Sequence, residues 1–331
     1  MRKNINAEKI EGRLYDHKLE MKKVTNKNSA FYGLDFISGE IFIATDEEGL
    51  NVIPVHYTFV KEFTKSNTVN STFVNLKQIL EGGKTWVNVG KDAAQKLRVE
   101  PSLALNDFFP QGGDQLVTRQ RSEGGFVTFI SDLSPIENAR NKFTFDTIIY
   151  DATLISADPD HNIPEDFVRI KAYVFDFKNA ILPVVLIAKD SKAPGSVNYF
   201  IGLNASANNP VYTKVMGEII NTTIKIDKVM ENAFGGTIVD SSTRQEREWI
   251  ITWAQPQPYV FDIAETITKD ELNKALTDRN IYLEEVKANA KAYYAQRNAG
   301  ATAPTPQAMP TPNAMGNIPQ GTFNFGGMPN W

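Results

Sequence analysis

The chain has 331 residues, 42% of them hydrophobic, with 20 Phe, 11 Tyr and a formal net charge of −4. That apolar content is enough for two ordinary domains and excludes global disorder, while the mild negative charge excludes a uniformly basic nucleic-acid coat. Cysteine is absent, which excludes disulfides and thiolate metal sites and fits a reducing, cytoplasmic setting.

The N-terminal segment carries no apolar core of signal-peptide type. The longest apolar run, Ala180 to Ala188 (AILPVVLIA) with one proline, is too short for a membrane span and reads as a buried strand. Residues 1–27 hold eight basic residues against four acidic ones. That local excess, which includes Lys22, Lys23 and Lys27, suits a phosphate backbone, and equally a solvated strand and loop.

Period-2 patterning dominates the first half. Ile10 to Val24, Phe36 to Thr45 and Leu50 to Val60 read as strands, the last two joined by Asp46-Glu47-Glu48-Gly49 into a hairpin. Asn70 to Glu81 places Phe73, Leu76, Ile79 and Leu80 at helical spacing and stops at Gly82-Gly83. Strands are then expected near Trp86 to Val89 and from Gln115 to Ile130, the latter broken at Gly124-Gly125. This order matches a small Greek-key barrel such as an OB-fold. The second half repeats the opening of that order, with a strand over Phe143 to Ser156, a polar loop over Asp158 to Asp166, and a hairpin of Phe167 to Phe177 and Ile181 to Ala188. After Trp249 to Trp253, Thr268 and Glu271 form a capping box that opens a helix running to about Arg297. From Asn298 to Trp331 the chain has no charge, six prolines and five glycines, the composition of a disordered tail. The expected fold is therefore mostly β with α additions. It consists of two OB-like barrels in tandem (1–140 and 141–265), a C-terminal helix (266–297) and a tail (298–331).

Catalytic and metal signatures are missing. Gly83-Lys84-Thr85 resembles the end of a phosphate-binding loop, but Gln78 stands where the motif needs glycine, and the segment ends a helix instead of opening one. Asp158-x-Asp160-x-Asn162 resembles the start of a calcium loop, but Ile163 and Arg169 occupy its sixth and twelfth positions. His17, His56 and His161 show no metal-ligand spacing. No catalytic residue, metal or cofactor is expected, although a carboxylate pair assembled only by folding is invisible at this level.

Strand parity separates core from outer face. Ile10, Leu14, Ile37, Ile41, Ile43, Ile53, Val55, Tyr57 and Phe59 belong inside. Arg13, Tyr15, His17, Phe36, Phe42 and His56 belong outside, where rings and cations mix. In the second half Val168, Ile170, Ala172 and Val174 form an aliphatic face, and the opposite stripe reads Arg169, Lys171, Tyr173, Phe175, Phe177. Bases stack on rings while cations meet phosphates, so single-stranded nucleic acid asks for this mixture. An interdomain or subunit contact fits the stripe equally well.

The segments IEGRLYDHKLE (10–20), FISGEIFIATDEEGLNVIPVHYTFV (36–60) and RSEGGFVTFI (121–130) make the chain resemble phage-encoded single-stranded DNA-binding proteins of replication modules. NPVYTKVMGEI (209–219), ENAFGG (231–236) and REWIITWA (247–254) add to this, and the similarity spans most of residues 10–295. It implies OB-type barrels, single-stranded DNA as ligand, no enzymatic activity and a place in the host cytoplasm. The Gly/Pro/Gln/Asn-rich tail also looks like the linker of bacterial single-stranded DNA-binding proteins, whose tails end in acidic residues. This one ends Gly-Met-Pro-Asn-Trp, which puts docking on replication proteins in doubt. Two other readings remain open at this level: a phage structural or assembly protein with aromatic subunit contacts and homo-oligomers, and a hydrolase with hidden carboxylates.

Overall fold

The computed structural model describes residues 3–158, 163–231 and 234–298. The tail beyond 298 and most of the calcium-like loop, including His161, lie outside the described residues.

The first half contains β1 (Asn6–His17), β2 (Glu20–Lys23), β3 (Asp35–Ala44), β4 (Val52–Lys61), α1 (Ser71–Gly82), α2 (Trp86–Val89), β5 (Lys96–Val99), β6 (Ser102–Phe108), β7 (Val117–Glu123) and β8 (Val127–Phe129). β1 pairs with β3, β3 with β4, β4 in parallel with β7, β7 with β6, and β5 closes back onto β1. Pro101, which lacks an N–H, separates β5 from β6, and the break is bridged where Glu8 N donates to Pro101 O at 2.9 Å.

The second half contains β9 (Asn141–Ile155), β10 (Phe167–Phe175), β11 (Ile181–Lys189), α3 (Ser196–Gly202), β12 (Val211–Glu231) and β13 (Thr237–Ala254). β9 pairs with β10, β10 with β11, β11 in parallel with β13, β13 with β12, and β12 with β9. Each half is thus a closed five-strand circuit with a parallel pair between its third and fifth strands and a helix between its third and fourth. That is the Greek-key barrel of an OB-fold, twice. β12 and β13 continue their ladder as far as Glu231↔Thr237, well beyond the barrel.

The inward faces form one continuous core, in which Ile10, Ile41, Val55, Phe145, Ile170 and Leu186 are fully buried. α1 plugs the first barrel with Phe73, Leu76 and Ile79. Burying a side chain of this size contributes about 1.5–3 kcal/mol. Asn70 caps the helix by accepting from Thr72 N at 3.1 Å.

Several sequence expectations change here. The expected strand Ile10 to Val24 breaks at Lys18-Leu19 into β1 and β2. Gly39, at φ 129°, sits so close to Lys18 O that no Cβ fits. Trp86 to Val89 is a helical turn, not a strand. Buried Thr85 caps it by accepting from Asn88 N at 3.2 Å, and Gly90 at φ 81° ends it. β5, β6 and β12 were not anticipated.

The C-terminal helix α4 (Lys269–Asn298) opens on the expected capping box. Thr268 N donates to Glu271 Oε2 at 2.9 Å, and Glu271 N donates to Thr268 Oγ1 at 3.1 Å. The helix is not an appendage. Leu272 and Ala275 pack on the second barrel with Ile148 and Ile181, while Tyr282, Val286 and Ala290 pack on Phe109 beyond the first barrel's β6. Between these contacts Arg279 grips Asp107 of β6 through two hydrogen bonds of 2.7 Å, both side chains buried. Removing one partner of such a pair strands the other charge and costs about 3–5 kcal/mol. Arg279→Met is expected to lower the free energy of urea unfolding by about that amount. An unchanged unfolding midpoint would show that the ion pair does not hold α4 in place.

Candidate nucleic-acid interface

The outer face of β2, β3 and β4 carries one aromatic group. Lys22, Phe36 and Lys61 lie side by side across the three strands. The rings of Phe36 and Phe59 are 4.5 Å apart, Phe31 stands 5.9 Å from Phe59, and Lys61 Nζ lies 4.4 Å from the Phe31 ring centre. Phe59, expected inside, is 39% exposed. A β-bulge explains it: Ile37 pairs with Val60 and Gly39 with Tyr57, so Thr58 and Phe59 together oppose Ser38. Tyr57 and Val60 stay inward and Phe59 turns out.

A second bulge shapes β1. Leu14 pairs with Ile43 and Asp16 with Phe42, leaving Tyr15 as the extra residue. From there parity is inverted. His17, expected outside, pairs with the core residue Ile41, and Asp16 takes the outer place beside Phe42. The Tyr15 ring lies 5.9 Å from Trp86, and Lys18 Nζ lies 5.3 Å from the Phe42 ring centre. A cleft of about 410 Å³ opens here, lined by Tyr15, Asp16, Lys18 and Phe42 of the first barrel and by Asn221 and Thr223 of β12.

A charged strip separates the two aromatic groups. His56 Nε2 sits 2.5 Å from Glu40 Oε1, and Arg121 and Thr58 both bind Glu123. The hydrogen bond from His56 holds the Glu40 carboxyl below its usual range, with Lys18 and Arg121 adding to the effect. Beside this strip, at the junction of the barrels, Trp249 Nε1 donates to the buried Glu8 Oε1 at 2.9 Å, and Arg247 donates to Ser122. Burial pushes Glu8 up, against hydrogen bonds from Ser122 and Trp249. Among the described residues no group of three or more His, Asp or Glu could hold a metal. No helix there is long and apolar enough to cross a membrane.

A family model described as YorF matches residues 4–289. The chain belongs to the YorF family. A search of curated proteins finds no match. Among solved structures it is similar to a deletion mutant of the single-stranded DNA binding protein from Thermus aquaticus. That match has 12% identity and a TM-score of 0.44, covering 80% of this chain and all of the other. The wild-type Thermus aquaticus protein matches at 11% identity and a TM-score of 0.43, over 79% of this chain and 97% of the other.

The other expected site residues of this YorF-family chain are dispersed. Arg13 is held 2.9 Å from Glu47, which also binds Arg140 and Lys91. Lys22 pairs with Glu20 and Lys23 with Asp35, and Lys27 lies exposed in the following loop. In the second barrel Arg169 is exposed and Lys171 lies 3.7 Å from Asp151. Tyr173 and Phe175 do not form an open stacking face. Tyr173 is 6% exposed, its ring lies 4.3 Å from Tyr150, and both it and Phe175 are packed in the cluster with Leu272 and Ala275 of α4. Burial pushes the Tyr150 hydroxyl up to about 12. Phe177, beyond the strand end, is 80% exposed at the rim of a different cleft between the barrels. Sequence parity alone missed Phe31, Phe59, Lys61, Trp86 and Asp16.

Two outcomes follow from this placement. Tyr173→Ala and Phe175→Ala are each expected to destabilise the YorF-family fold by about 3–5 kcal/mol, as for other buried aromatics. Thermal melting checks this; a stable variant would return the stripe to solvent. Glu47 is a separate case. Lys91, Arg140 and Arg13, hydrogen-bonded to it, draw its carboxyl from 4.5 down to about 2. Its ionised form therefore adds stability above 4.5, and that contribution is lost as the pH falls toward 2. Glu47→Gln is expected to melt lower at neutral pH and to lose less stability on acidification through that window. Parallel melting curves for the two proteins would refute the assignment.

Proposed function

We propose that the chain binds single-stranded DNA with little sequence preference, by stacking bases on the outer face of the first barrel while cations meet phosphates. The observation that carries this reading is the Phe36–Phe59–Phe31 group, partly open to solvent, set at β3 and β4 of an OB-type barrel and flanked by Lys61 of β4 and Lys22 of β2. Rings set beside cations suit flat bases on a flexible backbone, and a rigid duplex offers no unstacked base to them. The second barrel contributes less, because α4 covers the equivalent aromatics. Arg169 and Lys171 remain on its outer face for phosphates. On the sequence resemblance, this activity would serve a phage replication or recombination module in the host cytoplasm. Residues 298–331 would then serve as a spacer toward replication proteins or further copies of the chain.

The test is a fluorescence titration with single-stranded and duplex oligonucleotides at two salt concentrations. Single strands are expected to bind much more tightly than duplex, and to weaken as salt rises because phosphate contacts release counterions. Phe36→Ala with Phe59→Ala is expected to cost roughly 1–3 kcal/mol per lost stacked base, with little change in melting temperature. Equal affinity for duplex, or full binding by the double variant, would overturn the reading.

A further inference from the structure

The cleft between the first barrel and β12 holds a carboxylate where a phosphate-binding surface would have no use for one. Asp16 lines it. Among the described residues no cation pairs with Asp16; its Oδ1 accepts from His17 N at 2.8 Å, and Oδ2 is left for a ligand. Lys18, the nearest cation in sequence, lies over the Phe42 ring.

The surroundings are built to keep this geometry. The β1 bulge turns Tyr15 and Asp16 toward the cleft together. Tyr15 is backed by Trp86, and Gly49 at φ 71° lies directly against that indole, where an added Cβ would stand 3.3 Å from the ring. The far wall is anchored by paired amides. Asn221 N donates to Asn51 Oδ1 at 2.7 Å, Asn51 Nδ2 donates to Ile219 O at 3.2 Å, and the Asn221 amide donates to Val52 O. β12 is thereby latched to the first barrel, which fixes the far wall of the cleft.

Aromatic walls with an acceptor between them suit one unstacked nucleobase. The acceptor selects among bases. Cytosine, adenine and guanine present an exocyclic amine on the Watson–Crick edge, whereas thymine presents carbonyl oxygens flanking one N–H. A carboxylate gains a charge-assisted hydrogen bond from the amine and is repelled by the carbonyls. We propose that the Asp16 cleft is a base-selective station that takes an amino-bearing base and discriminates against thymine, within an otherwise sequence-tolerant surface. The proposal rests on the single-stranded DNA reading above.

The test compares oligo(dC) and oligo(dT) of equal length on the full chain and on Asp16→Asn, by fluorescence anisotropy at mildly alkaline pH. Asparagine keeps a carbonyl for His17 N, so the bulge is preserved. The wild-type chain is expected to favour oligo(dC) by roughly tenfold, the scale of one hydrogen bond to a charged group. Asp16→Asn is expected to erase or reverse that ratio, because its amide can donate to a thymine carbonyl. Equal binding of the two oligomers by the wild-type chain would overturn the proposal while leaving the single-stranded DNA reading intact. A preference unchanged in Asp16→Asn would also overturn it, by placing selectivity elsewhere. Failure of both oligomers to bind would overturn the parent reading and this one with it.

Discussion

The ladder between β1 and β9, from Asn6↔Phe145 to Ile10↔Asn141, makes the first strand of one barrel a neighbour of the first strand of the other. β1 therefore works at three edges, pairing with β9 at its start and with β5 and β3 further along. Backbone hydrogen bonds of this kind set orientation more firmly than side-chain packing, because each fixes both distance and direction. The Trp249–Glu8 bond and the amide pair Asn51–Asn221 follow from that register. They lock β12 and β13 against the first barrel, and they create the cleft.

Against this frame the two barrels have unequal surfaces. Both put aromatic residues on outer strand faces, but the first leaves Phe59 open whereas Tyr173 and Phe175 of the second are covered. In the second, α4 lies over Tyr173 and Phe175, and the same helix reaches the first barrel to bind Asp107 through Arg279. One helix thus buries a potential stacking surface and fixes the spacing of the barrels. The gain is the hydrophobic effect, roughly proportional to the apolar area removed from water. The consequence is that Tyr173 and Phe175 are closed to solvent while the Phe36–Phe59–Phe31 group of the first barrel is partly open.

Electrostatics divides the open face further. Arg13, Lys91 and Arg140 converge on Glu47, while Glu40 and Glu123 are held by His56 and Arg121 within the fold. Lys61 and Lys18 each lie over a ring and so set a cation beside the aromatic groups. A weakly acidic chain can in this way present local positive charge where rings are exposed.

The alternation of Ile10/Leu14, Ile41/Ile43 and Val168/Ile170/Ala172 determined the strands and their buried faces, because an inward side chain every second residue is the only way a pleated strand fills a barrel. Asn70, Gly83, Thr268 and Glu271 determined where helices start and stop, since caps act through neighbouring backbone groups. Tertiary structure decided the rest. The bulges at Tyr15 and at Thr58-Phe59 depend on the partner strand, which local periodicity does not contain, so Phe59 was read as core and His17 as surface. Trp86 joined Tyr15 only through folding. Tyr173 and Phe175 were legible as a face distinct from the core, but what covers that face is a helix about a hundred residues later. No strand pattern encodes a distant neighbour; only the folded chain brings it near.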